Sequence, residues 1–242
     1  MRLILITMVL LLSFSALANN DFEKGRSAYK SGDYKQAIEL FNKAAEQGNL
    51  RAYSILGYIH YKGQGVEKNY KESAKWYRKA AEKGSDRAQL SLALMYEKGR
   101  GVEQDYMQAI NWHTKSAKQG NPRAQFHLAL IYQAGKGVNQ DYEKAFYWFN
   151  EAAADGNAGV QNSIGEMYEK GLGVEQNFEQ AARWYAKSAE QGDKKSQYNL
   201  GRLYTIGKGV TKDSAIALKW IKKSAEQGYK EAQSMLMTLA KS

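Results

Sequence analysis

The chain reads as an all-α solenoid of helix–turn–helix repeats with a period of 36 residues, and three observations predict this. Tryptophan occurs only at Trp76, Trp112, Trp148, Trp184 and Trp220, each 36 residues from the next. A Gly-x-Gly-Val tetrad starts at Gly63, Gly99, Gly135, Gly171 and Gly207 in the same step. A further glycine recurs at Gly48, Gly84, Gly120, Gly156, Gly192 and Gly228. Self-similarity of this length is the mark of a stacked array, in which one supersecondary unit buries its apolar face only against its neighbours.

Residues 1–18 stand outside the array. A basic start at Arg2, an apolar run from Leu3 to Phe14 and the ending Ser15-Ala16-Leu17-Ala18 have the three parts of a secretory leader, with cleavage expected between Ala18 and Asn19. The apolar run falls short of the roughly 20 residues that a spanning helix requires. Export, periplasmic or secreted from a bacterium, is the expected fate, with no transmembrane segment in the mature chain.

Residues 19–48 hold an atypical helix pair, Phe22–Lys30 and Tyr34–Gln47, joined by Ser31-Gly32-Asp33. Five complete units follow over 49–84, 85–120, 121–156, 157–192 and 193–228, and a closing segment over 229–242 contains a lone helix from about Lys230 to Lys241. In the first helix of a unit, Ala88, Leu92, Ala93, Met95 and Tyr96 share one face, as do Ala124, Leu128, Ala129, Ile131 and Tyr132 one unit later. The second helix carries the stripe Tyr106, Ala109, Ile110, Trp112, His113, Ser116 and Ala117. Between the helices, the Gly-x-Gly-Val stretch offers permissive backbone for a turn and a valine to plug the end of the pair.

Capping residues fix the starts. Asn69, Asp105, Asp141, Asn177 and Asp213 precede the second helices, and Glu72, Gln108 and Gln180 stand where a capping box needs them. Asn49, Ser85, Asn121, Asn157 and Asp193 precede the first helices, just after the terminating glycine. The lone proline, Pro122, follows Asn121, at the helical position where a missing N–H costs nothing.

Composition narrows the function. With no cysteine the chain has no disulfide framework, thiolate metal site or cysteine nucleophile. Its three histidines, His60, His113 and His127, have no metal-ligand spacing, so neither a metal nor another cofactor is expected. The net charge of +10 includes Lys79, Lys115, Lys187 and Lys223, spread along second helices as a solvated face. Nucleic acid would need a concentrated basic patch with interleaved aromatics, and none is expected as a partner.

The pattern Ala-x-x-x-Leu-Gly/Ala-x-Met/Leu-Tyr, Gly-x-Gly-Val, Asp/Asn-Tyr-x-x-Ala-x-x-Trp-Tyr-x-x-Ala-Ala-x-x-Gly resembles the Sel-like repeat (SLR) family, a relative of the tetratricopeptide repeat. The segment Gly32-Asp33-Tyr34-Lys35-Gln36-Ala37 resembles the tetratricopeptide variant instead. The resemblance implies a right-handed α/α superhelix whose first helices line a concave surface, and a non-enzymatic role as a protein-interaction scaffold.

Candidate sites follow from the slots that vary while their neighbours repeat. Two residues before the shared leucine slot stand Ser54, Leu90, Phe126, Asn162 and Tyr198; two after it stand Tyr58, Leu94, Leu130, Glu166 and Arg202. These positions are expected to face the groove, with Leu90, Leu94, Phe126 and Leu130 as its apolar centre. One turn earlier Arg51, Arg87, Arg123 and Lys195 form a basic row suited to acidic groups of a protein or peptide partner bound by a monomeric chain. The alternative is that the apolar members only pad the solenoid interior.

The tryptophans, together with His113 and His60, are expected to be packed core side chains. Ser27-Ala28-Tyr29-Lys30 matches the Ser-x-x-Lys nucleophile motif of serine β-lactamases, but no Ser-Asp-Asn or Lys-Thr-Gly accompanies it, and no catalytic residue is assigned. A cell-wall or β-lactam-directed hydrolase is therefore the weaker alternative to a scaffold. A secreted host-interaction factor would share the scaffold's mechanism and differ only in partner.

Overall fold

The computed structural model describes residues 17–239, so most of the expected leader, residues 1–16, lies outside the described residues. The described chain is helical throughout and without strand: α1 (17–30), α2 (Tyr34–Glu46), α3 (Leu50–Lys62), α4 (Tyr70–Glu82), α5 (Asp86–Lys98), α6 (Tyr106–Lys118), α7 (Pro122–Ala134), α8 (Tyr142–Ala153), α9 (Ala158–Lys170), α10 (Phe178–Glu190), α11 (Lys194–Ile206), α12 (Ser214–Glu226) and α13 (Lys230–Leu239). Two compact units divide between Asn121 and Pro122: unit 1 contains α1–α6 and unit 2 contains α7–α13. None of the described helices is long and apolar enough to cross a membrane.

Helix α1 starts before Phe22. Ala18 is buried, and its carbonyl accepts a hydrogen bond from Asn49 Nδ2 at 3.3 Å, which holds the additional turn. The expected cleavage residues Ala18 and Asn19 thus both fall in the first described turn.

The capping residues act as the sequence predicts on one side only. Asn69, Asp105, Asp141 and Asn177 each accept through Oδ1 from the backbone N–H three residues on, at 2.9–3.0 Å. The reciprocal half of the capping box is replaced. The cap N–H groups of Asn69, Asp105, Asp141, Asn177 and Asp213 donate instead to the carbonyls of His60, Tyr96, Tyr132, Tyr168 and Tyr204, at 2.9–3.1 Å. A backbone acceptor from the preceding helix is already in place, and Glu72 pairs instead with Lys75 at 3.2 Å.

Two glycines in the connecting loop have separate tasks. Gly99 ends α5 in the left-handed conformation (φ 61°), and its N–H bonds Met95 O. Gly101 (φ 71°) lies so close to the preceding pair that a Cβ there would come within 2.0 Å of Tyr70 O. Gly173 and Gly209 meet Tyr142 O and Phe178 O at 2.1 Å in the same way. These three loops therefore seat on the first turn of the preceding second helix and set the spacing of the pairs they join.

Inside each pair, small and large residues alternate across the contact. A Cβ on Gly57 would meet the Tyr77 ring at 2.8 Å, one on Gly165 the Tyr185 ring at 2.7 Å, and one on Gly201 Ile221 at 2.6 Å. Where the first helix carries Ala93 or Ala129, the second presents His113 or Phe149 at the same slot. Close-packed interiors leave no slack for an extra methyl, so the two slots are matched in size. The loop valines Val66, Val102, Val174 and Val210 pack at the edges of these cores, as expected of a plug.

The tryptophans need a correction. Only Trp112 is buried; Trp76, Trp148, Trp184 and Trp220 lie half-buried at the rim of the core. Lysines three residues on cover the outer faces: Lys79 over Trp76 at 4.6 Å, Lys115 over Trp112 at 4.2 Å, Lys187 over Trp184 at 4.4 Å and Lys223 over Trp220 at 4.9 Å. The lysines read as a plain solvated face thus shield aromatic rings by cation–π contact while their amines stay wet.

Candidate functional site

In unit 1 the first helices α1, α3 and α5 enclose a concavity of about 570 Å³. Its apolar lining includes Phe22, Tyr29, Leu50 and Ile55, and its cations are Arg26, Lys30, Arg51 and Arg87. The Arg51 guanidinium lies over the Phe22 ring at 4.5 Å, and Tyr29 OH donates to Gln64 Oε1 from the neighbouring loop. Glu23 sits between Arg26 (3.1 Å) and Arg51 (3.5 Å), all three side chains well exposed. The one carboxylate in the lining, Asp86, accepts from Asn121 Nδ2 at 2.8 Å. Ser54, Arg51 and Arg87 thus line one concavity.

Leu90 is a correction: only 5% exposed, it belongs to the interior of unit 1 rather than to an open groove. Leu94 is half-buried and Tyr58 exposed, with Lys62 Nζ over the Tyr58 ring at 5.8 Å.

Unit 2 uses the corresponding slots differently. Asn162 is 7% exposed and bonded on several sides: its amide donates to Glu166 (2.8 Å), and its oxygen accepts from Ser196 Oγ (2.9 Å) and Asn199 Nδ2 (3.3 Å). It ties α9 to α11 and has no face left for a partner. Arg202 Nη2 bonds both oxygens of Glu169 at 2.5 and 2.7 Å, and Tyr185 OH donates to the same carboxylate at 2.8 Å. Burial, then the Glu169 charge, pushes the Tyr185 phenol far above its ordinary range, so it remains a donor. Tyr198 packs against Tyr229 with ring centroids 5.4 Å apart. Arg123 and the half-buried Phe126 line a second, smaller concavity of about 370 Å³, with His127, Asp155 and Val160 also in its wall. Leu130 packs at the edge of the unit 2 core, and Lys195 is exposed on α11.

His113, His60 and Ser27 line neither concavity. His113 is fully buried, and its Nε2 lies 2.5 Å from Glu97 Oε1. His60 is half-buried; its Nδ1 is buried without a hydrogen-bond partner, and desolvation holds its pKa below the ordinary value. Ser27 is exposed on α1, and its backbone carbonyl accepts from Ser31 N at 3.0 Å as the helix ends.

Sequence reasoning missed a ladder of buried glutamines. In unit 1, Gln89 donates to Ala81 O (3.1 Å) and accepts from Gln119 (2.8 Å). In unit 2, Gln197 donates to Ala189 O (3.2 Å) and accepts from Gln227 (2.8 Å). Each link satisfies an orphan carbonyl at a helix end while joining consecutive pairs. The recurrence of glutamine at Gln89, Gln125, Gln161, Gln197 and Gln233 was the available signal.

The Sel1 repeat pattern matches six segments, residues 22–49, 50–85, 86–121, 122–157, 159–193 and 194–229. The set includes the short first pair. The described chain is similar in structure to c5321, a protective antigen of uropathogenic Escherichia coli with an SLR fold: 39% identity, TM-score 0.85, covering 89% of this chain and 47% of that one. It is also similar to a Sel1 repeat protein from Oxalobacter formigenes: 35% identity, TM-score 0.80, covering 85% and 84%. The chain thus spans about half the length of the E. coli protein. No curated protein matches the chain. Sel1 repeat proteins generally serve as protein–protein interaction scaffolds and are typically non-catalytic. With the repeat pattern covering residues 22–229 almost without a gap, the chain belongs to the Sel1 repeat family.

Proposed function

We propose that this chain is an exported scaffold that holds a protein or peptide segment on the first-helix face of unit 1. The observation that carries the reading is the concavity between α1, α3 and α5, where apolar floor and polar walls converge as ligand sites require. An extended segment can lie across consecutive first helices and present alternate side chains to them. Export is supported by the leader-like pattern of residues 1–18 and by likeness to a relative described as a protective antigen.

Two measurements test this. Mass analysis of the exported protein should find Asn19 at the N-terminus; Met1 retained in cell pellets would overturn export. A photocrosslinker in place of Ser54, inside the concavity, should capture partner from envelope extract, whereas one in place of Met107, exposed on α6, should not. Equal capture from both positions would overturn the concave-face reading.

A further inference from the structure

We propose that the unit 1 concavity reads an acidic peptide, its carboxylates taken by Arg26, Lys30, Arg51 and Arg87 and its apolar side chains by Leu50 and Ile55. This rests on the concave-face reading and adds the chemistry of the ligand.

Charge balance carries the argument. Four cations line the concavity against one carboxylate, Asp86. That carboxylate is occupied by Asn121 Nδ2 at 2.8 Å. Even if Glu23, which bridges Arg26 and Arg51 from the rim, is counted, cations exceed anions. Arg87 and Lys30 have no ion-pair partner among the described residues. The concavity of unit 2 lacks this excess, because its Arg123 faces Asp155 in the same wall.

Geometry strengthens the field. The first turns of α3 and α5, at Leu50-Arg51 and Ser85-Asp86-Arg87, both open on the concavity, so two helix N-termini add their positive ends to the side-chain charge. Arg51 is held over the Phe22 ring, which places a guanidinium fork next to an apolar surface. A carboxylate that binds there accepts a planar, bidentate pair while the adjacent ligand residue packs on Leu50 and Ile55. A peptide fits this shape. A bilayer is too flat to enter a concavity walled by three helices, so lipid headgroups are a poorer match.

Fluorescence anisotropy with a labelled peptide of alternating glutamate and leucine, eight residues long, tests the proposal on the full exported chain. Binding is expected to weaken by about tenfold or more in Arg51→Glu/Arg87→Glu, and by less than about twofold in Lys195→Glu, which lies in the same row on unit 2. The lysine–leucine counterpart should not bind, and salt should weaken the glutamate peptide steeply. These exposed positions should leave the helical circular dichroism unchanged. Equal loss in both variants, or equal affinity for anionic phosphatidylglycerol vesicles, would overturn the peptide proposal as diffuse charge attraction. Binding of a neutral or basic peptide that is lost in Ile55→Asp would overturn acidic selectivity while sparing the concave-face reading; no peptide binding at all would overturn both.

Discussion

Unit 1 and unit 2 are built from one repeat yet differ in what they do with the slots of Ser54 and Tyr58. In unit 1 the variable slot of Ser54 opens on a concavity that also holds Arg51 and Arg87 of the basic row. In unit 2, Asn162, at the slot of Ser54, is consumed internally by Ser196, Asn199 and Glu166, and Arg202, at the slot of Tyr58, by Glu169. A variable slot therefore does not by itself mean a binding slot. The same first-helix position either opens on a concavity or fastens two neighbouring helices, and the identity of the residue facing it decides which.

Four changes probe this contrast, from large effect to small. The greatest loss is expected for Gly101→Ala, where a Cβ would strike Tyr70 O at 2.0 Å in a backbone conformation with φ 71°. Urea unfolding should show about 3 kcal/mol lost, and a value under 1 would mean that the loop does not set repeat spacing. Next comes Arg202→Leu in unit 2, which strands the Glu169 carboxylate, 14% exposed, and should cost about 2–3 kcal/mol. The double change Glu169→Leu/Arg202→Leu should recover most of that. In unit 1, Arg26→Ala removes only an exposed pair with Glu23 and should cost less than about 1 kcal/mol. Comparable losses for Arg26→Ala and Arg202→Leu would erase the distinction between the two units.

The smallest effect concerns His60. Its pKa is lowered in the folded chain by desolvation, so the unfolded chain binds the proton more tightly. Folding stability should accordingly fall as pH drops below 6.5, the ordinary value, until the folded imidazole also protonates. His60→Tyr, which restores the residue found at Tyr96, should flatten that acid limb in thermal melts at pH 5 to 7, within roughly the range where histidine titrates. An unchanged acid limb would place its origin elsewhere.

Much of the fold could be read from the chain because the repeat compares each slot with itself five times. The helices, the caps and the terminating glycines all emerge from that comparison. Its reach stops where the register stops. Phe22, Arg26, Tyr29 and Lys30 supply four of the eleven residues lining the unit 1 concavity but sit in the first pair, whose short link Ser31-Gly32-Asp33 takes its first helix out of the 36-residue register. Leu90 and Asn162 were misplaced for a different reason: a spacing of two residues locates a face of a helix but cannot tell solvent from the neighbouring first helix.

The sequence by itself determined the helical periodicity, the punctuation between helices and the family, because these depend on contacts within one or two adjacent units. The tertiary structure alone decided which glutamines and serines bind carbonyls in the next helix, which charges are neutralised, and where cations gather without partners. Such outcomes depend on distances between residues about 30 positions apart, as in the Gln119–Gln89 and Ser188–Ala158 bonds, and no local pattern encodes them.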